Sequence, residues 1–260
     1  MPAGGGLMIY KRMAARLRAQ DWVAITIELA IVVVGVFIGT QVSNWNAERL
    51  ERQDNARVLH NLRPEIADMV ANFRTVYAYY NTSTHYAQIA FAGWRGDPKV
   101  SDRDFVVAAL QASQIYYTGL NNDTWSQIYG DDRLRTMDDR PMRKDLSLLM
   151  TTDYAAMERD LFSNYRQHSR EIIPADVQDA IRKQCGERAA AGAVNSLFLP
   201  PTCDLHYPAP RIAAAAAALR ARPELVDQLN WHLAVIASYR ANIGVVDTVA
   251  RDLLARLGKD

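Results

Sequence analysis

The chain has 260 residues and 49% of them are apolar, which is enough material for one large buried core or two small ones. Its formal net charge is only +1. Proteins that bind nucleic acid usually carry a marked basic excess or a basic stripe, so this balance argues against nucleic acid as a partner.

An apolar run covers residues 22–42, and Glu28 is its only ionisable side chain. At 1.5 Å of rise per residue, a helix of this length crosses the hydrocarbon core of a bilayer. Trp22 and Trp45 bracket the run, and aromatic rings of this kind prefer the two interfacial levels. We therefore predict a transmembrane helix over residues 22–42. The alternative is a core helix of a soluble domain, but such helices rarely run this long without a polar face.

The short tail of residues 1–21 sets the predicted orientation. It has no acidic side chain before Asp21, and its basic side chains are Lys11, Arg12, Arg16 and Arg18. Basic residues that flank a span are retained in the cytoplasm, so the N-terminus is predicted to be cytoplasmic and the rest of the chain to lie outside. A cleavable signal peptide would have a shorter apolar region and a small-residue cleavage site, which the sequence after the run lacks. The pattern favours a retained signal anchor.

One face of this helix combines a carboxyl group with small residues. At 100° per residue, a narrow angular band holds Glu28, Val32, Gly35, Gly39 and Asn46. The spacing of the two glycines lets helices approach closely, and a carboxyl group within a bilayer usually faces a partner or water. We predict a helix–helix interface here, with a second copy of the chain or with another membrane protein. The alternative is that Glu28 reaches the cytoplasmic interface and that the glycines are incidental.

Three short motifs stand in and just after the apolar run: Glu28-Leu29, Gly35-Val36-Phe37-Ile38-Gly39 and Gln41-Val42-Ser43-Asn44-Trp45-Asn46. Together they resemble the N-terminal anchor of a bacterial family of unknown function, over residues 27–46. The chain departs from the family by having Ile27 where glycine is common, and a looser similarity covers residues 125–146. The resemblance implies a single-pass protein of the bacterial inner membrane with a helical periplasmic domain. It implies no activity and no catalytic residues.

Beyond the span, residues 43–60 are predicted to continue the helix as a charged stalk, and residues 61–260 to form the periplasmic domain. Apolar residues recur every three or four positions, which is the period of a helix. This period predicts long helices over residues 59–94, 140–172 and 223–257, with a kink or restart at Pro64. A short helix is predicted over residues 102–113, with Ser101 as its N-cap. We therefore predict an all-α fold, in which one transmembrane helix precedes a bundle with three long helices.

The two cysteines, Cys185 and Cys203, lie in a proline-rich segment over residues 184–210 that we predict to be irregular. An even count in an oxidising compartment predicts one disulfide. The alternatives are free thiols or a metal site that also uses His206. A zinc site normally has a fourth ligand and a tighter first pair of ligands. We therefore expect a disulfide, no metal and no cofactor.

The usual catalytic signatures are missing, including phosphate-binding glycine loops, zinc-protease helices and nucleophile elbows. The histidines are scattered, and His168 and His232 fall on apolar seams, which favours core positions. The acid pairs at residues 131–132 and 138–139 are interpreted as turn and cap residues, with a cation site as the alternative. A tyrosine cluster lies on the first long helix: Tyr77, Tyr79, Tyr80 and Tyr86. We interpret these residues as core or half-buried positions, with an aromatic ligand groove as the alternative.

These observations favour an accessory or scaffold protein that acts through protein–protein contacts and has no catalytic activity. Its expected partners are the lipid bilayer and either a second copy of the chain or another inner-membrane or envelope protein. A ligand-sensing domain is the first alternative. The short cytoplasmic tail counts against it, because without an output domain there the signal would have to pass to a partner. An envelope enzyme with an unrecognised site is the second alternative.

Overall fold

The computed structural model describes residues 22–118, 139–189 and 196–258, without the side chains of residues 23–25. The described residues are mostly helical, and the prediction of an all-α fold is confirmed. They divide into two units, of which the first ends at Arg57 and the second begins at Val58. In chain order the elements are α1 (Trp22–Trp94), α2 (Asp102–Gln111), α3 (Arg140–Thr151), α4 (Tyr154–Arg159), α5 (Asn164–Ile172), α6 (Ala175–Cys185), β1 (Arg188–Ala189), β2 (Leu197–Phe198), α7 (Ala209–Arg220) and α8 (Glu224–Leu257).

Helix α1 is 73 residues long and runs through Pro64 without ending, so the restart predicted there is wrong. A proline inside a helix removes one backbone hydrogen bond, to the carbonyl four residues earlier. Here both Pro64 and His60 are exposed, so water can hydrogen-bond to the carbonyl that lacks a partner. The helix ends at Trp94, and Gly96 follows it with a φ of 71°, the left-handed conformation that glycine adopts most readily.

Within the second unit, α1 and α8 each bury one stripe of side chains. Steps of four and three residues separate nine buried positions on α1, which are Leu62, Ile66, Met69, Phe73, Val76, Tyr80, Ser83, Ala87 and Ala90. Beside this stripe, Val70, Tyr79 and Tyr86 are also buried. The same steps separate nine buried positions on α8, which are Leu225, Leu229, His232, Ile236, Tyr239, Ile243, Val246, Ala250 and Leu253, and Asp247 beside them is also buried. This spacing places each set along one side of its helix, as in packed helical bundles. The predicted seam of the last helix is therefore confirmed.

The two stripes run antiparallel. The Tyr77 hydroxyl donates to the backbone carbonyl of Arg240 at 3.1 Å, and the rings of Tyr80 and Tyr239 lie 5.8 Å apart, edge to face. As residue numbers increase along α1, the residue numbers of their partners on α8 decrease. Near its end, α1 meets α7 instead, where the Trp94 ring N–H donates to the Leu219 carbonyl at 3.0 Å.

Helix α2 lies against the end of α1 and is the most buried short helix of the domain. Ser101 caps it as predicted, since its hydroxyl accepts a hydrogen bond from the Asp104 N–H at 3.1 Å. The Phe105 and Trp94 rings pack edge to face with their centroids 5.1 Å apart, and the Arg220 guanidinium carbon lies 5.0 Å from the centroid of the Phe105 ring. Helix α7 packs on α2, and α5 contacts α2, α7 and α8, so α5 lies at the centre of this part of the domain.

The single long helix predicted over residues 140–172 is wrong, because the structure has α3, α4 and α5 there. Asp153 caps α4 by accepting from the Ala156 N–H at 2.8 Å, and Ser163 caps α5 by accepting from the Arg166 N–H at 3.4 Å. Short polar side chains of this kind compete with a continuous helix and favour a new start. The predicted inward positions are nevertheless buried or half-buried: Leu146, Met150, Tyr154, Met157, Leu161, Tyr165 and His168.

The proline-rich segment is shorter and more ordered than predicted. Helix α6 ends at Cys185, and α7 begins at Ala209. Between them, β1 and β2 pair in antiparallel fashion, with Arg188 opposite Phe198. Two strands of two residues each are too short to produce a periodic sequence signal. The connection predicted over residues 117–132 lies outside the described residues from residue 119 onward.

A substitution at Gly93 tests the packing of α2 on α1. A Cβ atom at this position would overlap the buried ring of Phe105. We expect Gly93→Ala to lower the free energy of unfolding by about 1–3 kcal/mol, because overpacking outweighs the better helix propensity of alanine. Urea unfolding of the reconstituted chain, followed by circular dichroism, measures the change. A Gly93→Ala variant as stable as the wild type would contradict this packing.

Candidate functional site

The residues predicted to form the membrane-helix face all lie on the first part of α1, and all of them are exposed. A Cβ added at Gly35 or Gly39 would meet nothing within 4 Å, so this face is open to the approach of another helix. Trp22 and Trp45, the predicted interfacial anchors, are 81% and 61% exposed. The described part of the first unit is one helix, and none of its own residues covers the face formed by Glu28, Val32, Gly35, Gly39 and Asn46.

Among the described helices, α1 and α8 are long and apolar enough to cross a membrane. They differ in burial: the apolar window of α1 is entirely exposed, whereas 33% of the window of α8 is buried. Helix α8 also carries the charged pair of Asp247 and Arg251, whose side chains are 2.8 Å apart. Burial of its stripe explains the apolar character of α8, but nothing in the described chain explains that of residues 26–42.

The second unit has an open cleft of about 480 Å³ between α4 and α8, which we call the α4–α8 cleft. Its lining from α8 is Trp231, Ala234, Val235, Ser238, Tyr239 and Asn242, and from α4 and the residue after it Ala156, Met157 and Asp160. Small side chains on both helices leave the space open. A second cleft, of about 430 Å³, lies between α1 and β2 and has Arg74, Tyr79 and Phe198 in its lining.

A buried carboxylate, Glu158, lies directly behind the α4–α8 cleft. Its Oε1 atom accepts from the Thr118 N–H at 2.8 Å and from the Thr118 hydroxyl at 2.7 Å. The hydroxyl of Tyr239, a residue of the cleft, donates to the same atom at 3.4 Å. Within the described part of the chain no Lys or Arg pairs with Glu158. Hydroxyl and backbone donors therefore satisfy this carboxylate instead of a cation.

The tyrosines around this carboxylate are held protonated. Burial raises the pKa of Tyr80 and of Tyr239, and the charge of Glu158 raises both further. The Tyr80 hydroxyl also accepts from the Tyr116 N–H at 3.1 Å. Burial raises the pKa of Tyr86 to about 12, and its hydroxyl donates to the Pro200 carbonyl at 2.8 Å. The tyrosine cluster seen in the sequence is thus part of the core, with Tyr77 half-buried.

Two half-buried arginines, Arg166 and Arg170, lie one turn apart on α5, and both hydrogen-bond to residues just after the end of α2. Arg166 Nη1 donates to the Ser113 carbonyl at 2.6 Å, and Arg170 Nη2 donates to Gln114 Oε1 at 2.9 Å. Burial lowers the pKa of both guanidinium groups, that of Arg170 to about 10 with a further contribution from Arg166. Cations at a helix C-terminus are favoured by the helix dipole, which gives the pair a structural role.

Ser163 and His232 form a buried pair whose geometry does not match that of a hydrolase. The Ser163 Oγ and His232 Nδ1 atoms are 2.8 Å apart, with donor and acceptor set by the tautomer. The opposite nitrogen, Nε2, is buried, and no carboxylate among the described residues hydrogen-bonds to it. In a catalytic triad a carboxylate orients this second nitrogen. Burial, followed by the charge of Arg166, lowers the pKa of His232 to about 4, while the Ala112 carbonyl acts in the opposite direction.

The predicted disulfide is present at the base of the β1–β2 hairpin. Cys185 and Cys203 are paired at disulfide distance, with their Cα atoms 5.3 Å apart, and close a loop with a sequence separation of 18. A second link lies beside it: the His206 N–H donates to Gln184 Oε1 at 2.9 Å, and the Gln184 amide donates to the His206 carbonyl at 3.2 Å. His206, the third ligand of the alternative metal site, is exposed, and the two cysteines are paired with each other.

The remaining candidates from the sequence are dispersed. His168 is half-buried beside Gln228, and His232 is fully buried as interpreted. Asp139 caps α3, whereas residues 131, 132 and 138 lie outside the described residues. Within the described ranges, no three His, Cys, Asp or Glu side chains are placed to share a metal ion.

Sequence reasoning missed two features, Glu158 and the α4–α8 cleft. Glu158 follows Tyr154 by four positions, so a helical projection places it on the buried face of α4. That spacing was a usable signal for the carboxylate. The cleft gives no such signal, because it depends on how closely α4 approaches α8.

Comparison of the chain with protein-family models, with curated proteins and with solved structures gives no match. The resemblance of residues 27–46 to the bacterial anchor family therefore stays a prediction.

His232 makes stability depend on pH. Its pKa is about 4 in the folded chain and about 6.5 when unfolded, so between these values only the unfolded chain binds the proton. We expect the free energy of unfolding to fall by about 3 kcal/mol more in the wild type than in His232→Gln as the pH drops from 6.5 to 4. Urea unfolding across this range measures it. Parallel curves for the two proteins would contradict the burial of a neutral imidazole.

The disulfide closes a loop whose chain entropy can be estimated. We expect its loss to lower the free energy of unfolding by about 3 kcal/mol. Thermal unfolding with and without reductant measures the effect in the wild type. The Cys185→Ala/Cys203→Ala variant is the control, since it should match the reduced wild type and ignore the reductant. A wild type that is insensitive to reductant would show that the bond contributes nothing.

Proposed function

We propose that this chain is a single-pass protein of the bacterial inner membrane, anchored by residues 22–42, with its helical domain in the periplasm. Its role is that of an accessory or scaffold protein: it acts through protein–protein contacts, and catalysis is not part of its function. The resemblance of its anchor to a bacterial membrane family supports the setting.

The observation that carries the proposal is the uncovered face of α1 that holds Glu28, Gly35 and Gly39. These residues are exposed, and a Cβ at either glycine would meet nothing. Side chains that merely filled a lipid-facing surface would be apolar around the whole helix. Within residues 22–42 the single carboxyl group instead lies on the same side of the helix as the two glycines.

The free-energy cost of a carboxyl group within a bilayer favours contact of this face with a partner. An ionisable side chain within a span costs about 2.5–3.5 kcal/mol at the centre and is usually directed at another helix or at water. Glycines four positions apart bring two helix backbones close enough for a side chain on one to hydrogen-bond to the other. A second copy of the chain presents the same face and satisfies both requirements, as does a different membrane helix with small residues.

Two further features support the periplasmic placement of the domain. Disulfides persist in oxidising compartments such as the periplasm, and Cys185 and Cys203 are paired. The basic residues of the tail favour retention of the N-terminus in the cytoplasm. The chain would then cross the membrane once, with the disulfide on the oxidising side.

The geometry of the domain supports a non-catalytic role. The one serine–histidine contact among the described residues, between Ser163 and His232, is fully buried on the imidazole side and has no carboxylate behind it. Glu158 is occupied by Thr118 and Tyr239 and is likewise buried. These groups stabilise the core, and neither is placed to meet a substrate.

A ligand-sensing domain that signals through a partner is the second candidate function. The observation in its favour is the α4–α8 cleft, whose volume of about 480 Å³ is within the usual range for small-molecule sites. In that case the membrane face would be the route by which a bound ligand affects a partner protein.

The proposal is tested by the state of the full-length chain in its native membrane. We expect the wild type to crosslink and co-purify with a second copy or with a defined membrane protein. Glu28→Ala with Gly35→Leu should abolish that complex, because it removes the carboxyl group and blocks close approach. Mass measurement after reconstitution in nanodiscs identifies the species.

The matched control changes the opposite side of the same helix, with Val33→Leu and Phe37→Leu. These positions lie about 140° and 180° away from Glu28 on the helix at 100° per residue. The control should retain the wild-type complex. A wild type that is monomeric and free of partners, or a complex that is lost equally in the control, would contradict a docking role for this face.

A further inference from the structure

We propose that the α4–α8 cleft binds a small organic cation, an ammonium group carried on an apolar or aromatic body. This inference goes beyond the scaffold function and does not depend on the membrane face. It rests on the shape of the cleft, on the charges that line it and on the exposed tryptophan at its wall.

The shape of the cleft suits a small molecule. Small residues on the facing helices, Ala156 on α4 and Ala234 and Ser238 on α8, leave about 480 Å³ open between them. Met157, Val235 and the Tyr239 ring supply apolar lining. Sites for small ligands usually combine such an apolar lining with a few polar groups that orient the ligand.

The charges at the cleft are negative. Asp160 lines it, and its carboxylate makes no hydrogen bond or ion pair with any described residue. Glu158 lies behind the Tyr239 hydroxyl and adds a second negative charge. None of the described lining residues is basic. The cleft therefore attracts a cation and repels an anion of the same shape.

Trp231 supplies the second element of cation recognition. It is 67% exposed, although a tryptophan is large enough to bury extensive apolar surface in a core. Its neighbour His232 is fully buried, so the helix places Trp231 at the edge of the domain, where it lines the cleft. The face of an indole ring is the best cation–π acceptor among side chains. An ammonium group near Trp231 and Asp160 would be bound by both.

The alternative for these residues is a surface tryptophan and a solvated helix-end carboxylate with no common role. Asp160 is the residue at the end of α4, where acids are not favoured by the helix dipole. That placement leaves a negative charge beside an apolar cleft without any local structural benefit. A cationic ligand offsets this cost, whereas a neutral apolar ligand would leave it unchanged.

The test uses three probes that share one phenylethyl or phenylpropyl-length body: 2-phenylethylammonium, 2-phenylethanol and 3-phenylpropionate. The protein is the full chain in nanodiscs of zwitterionic lipid, labelled with ¹³C in its methionine methyl groups. The Met157 resonance, assigned from Met157→Leu, reports on the cleft, and that of Met150 on α3 is the internal control. Empty nanodiscs correct for partition of each probe into lipid.

We expect 2-phenylethylammonium to shift the Met157 resonance in a saturable way and to leave that of Met150 in place. Its dissociation constant should be about tenfold below that of 2-phenylethanol, because the alcohol lacks both the ion pair and the cation–π contact. The anionic 3-phenylpropionate should not bind. Equal binding of the cation and the alcohol, or no saturable shift with the cation at millimolar concentration, would overturn the proposal.

Two variants separate the two interactions. Asp160→Asn and Trp231→Ala should each weaken binding of the cation by at least about threefold. Asp252→Asn is the matched control, since Asp252 is an exposed acid on α8 that does not line the cleft, and it should bind like the wild type. Thermal unfolding verifies that each variant is folded. Unchanged affinity in the folded Asp160→Asn variant, or an equal loss in the control, would also overturn the proposal.

Discussion

Apolar helix surface must be removed from water, and α1 carries such surface along two stretches that differ in what covers them. From Leu62 onward it is a single stripe, which packs antiparallel against the stripe of α8. Within residues 26–42 apolar side chains cover the helix except on the face that holds Glu28, Gly35 and Gly39, and they stay exposed. The first arrangement builds the domain, because the short helices α2, α5 and α7 assemble where these long helices end. The second supports our proposal that the N-terminal segment crosses a bilayer.

The packing of the domain determines which hydrogen-bond partners its buried polar groups have. Glu158 is satisfied by Thr118 and Tyr239, and the two arginines of α5 are directed at the end of α2. Partners come from elements far apart in sequence, so the network forms only when the helices are in place. Buried polar groups are costly when one partner is lost, and such a network favours a single arrangement of the helices. Glu158 and Ser163 are buried within this network, whereas Asp160 and Trp231 are exposed.

Much of this architecture could be predicted from spacing alone. Steps of three and four residues identified the stripe of α8 and the buried side chains of residues 146–168, because burial follows the helical period. The helical period did not predict that new helices begin after Asp153 and Ser163, because there one capping side chain outweighs the apolar pattern. The continuity of α1 through Pro64 depends on exposure of the freed carbonyl, and the cleft depends on the distance between α4 and α8. Neither property is encoded in the local sequence, so both required the structure.

We propose that residues 22–42 anchor the chain in the membrane and that the helical domain lies on the periplasmic side. Fusion of alkaline phosphatase after Asp260 tests it most directly, because that enzyme is active only when it is exported to an oxidising compartment. We expect an active phosphatase fusion that stays with the membrane through a carbonate wash, whereas fusion of a cytoplasmic fluorescent reporter at the same position should stay dark. An inactive phosphatase fusion, or a chain that the wash releases, would contradict the account.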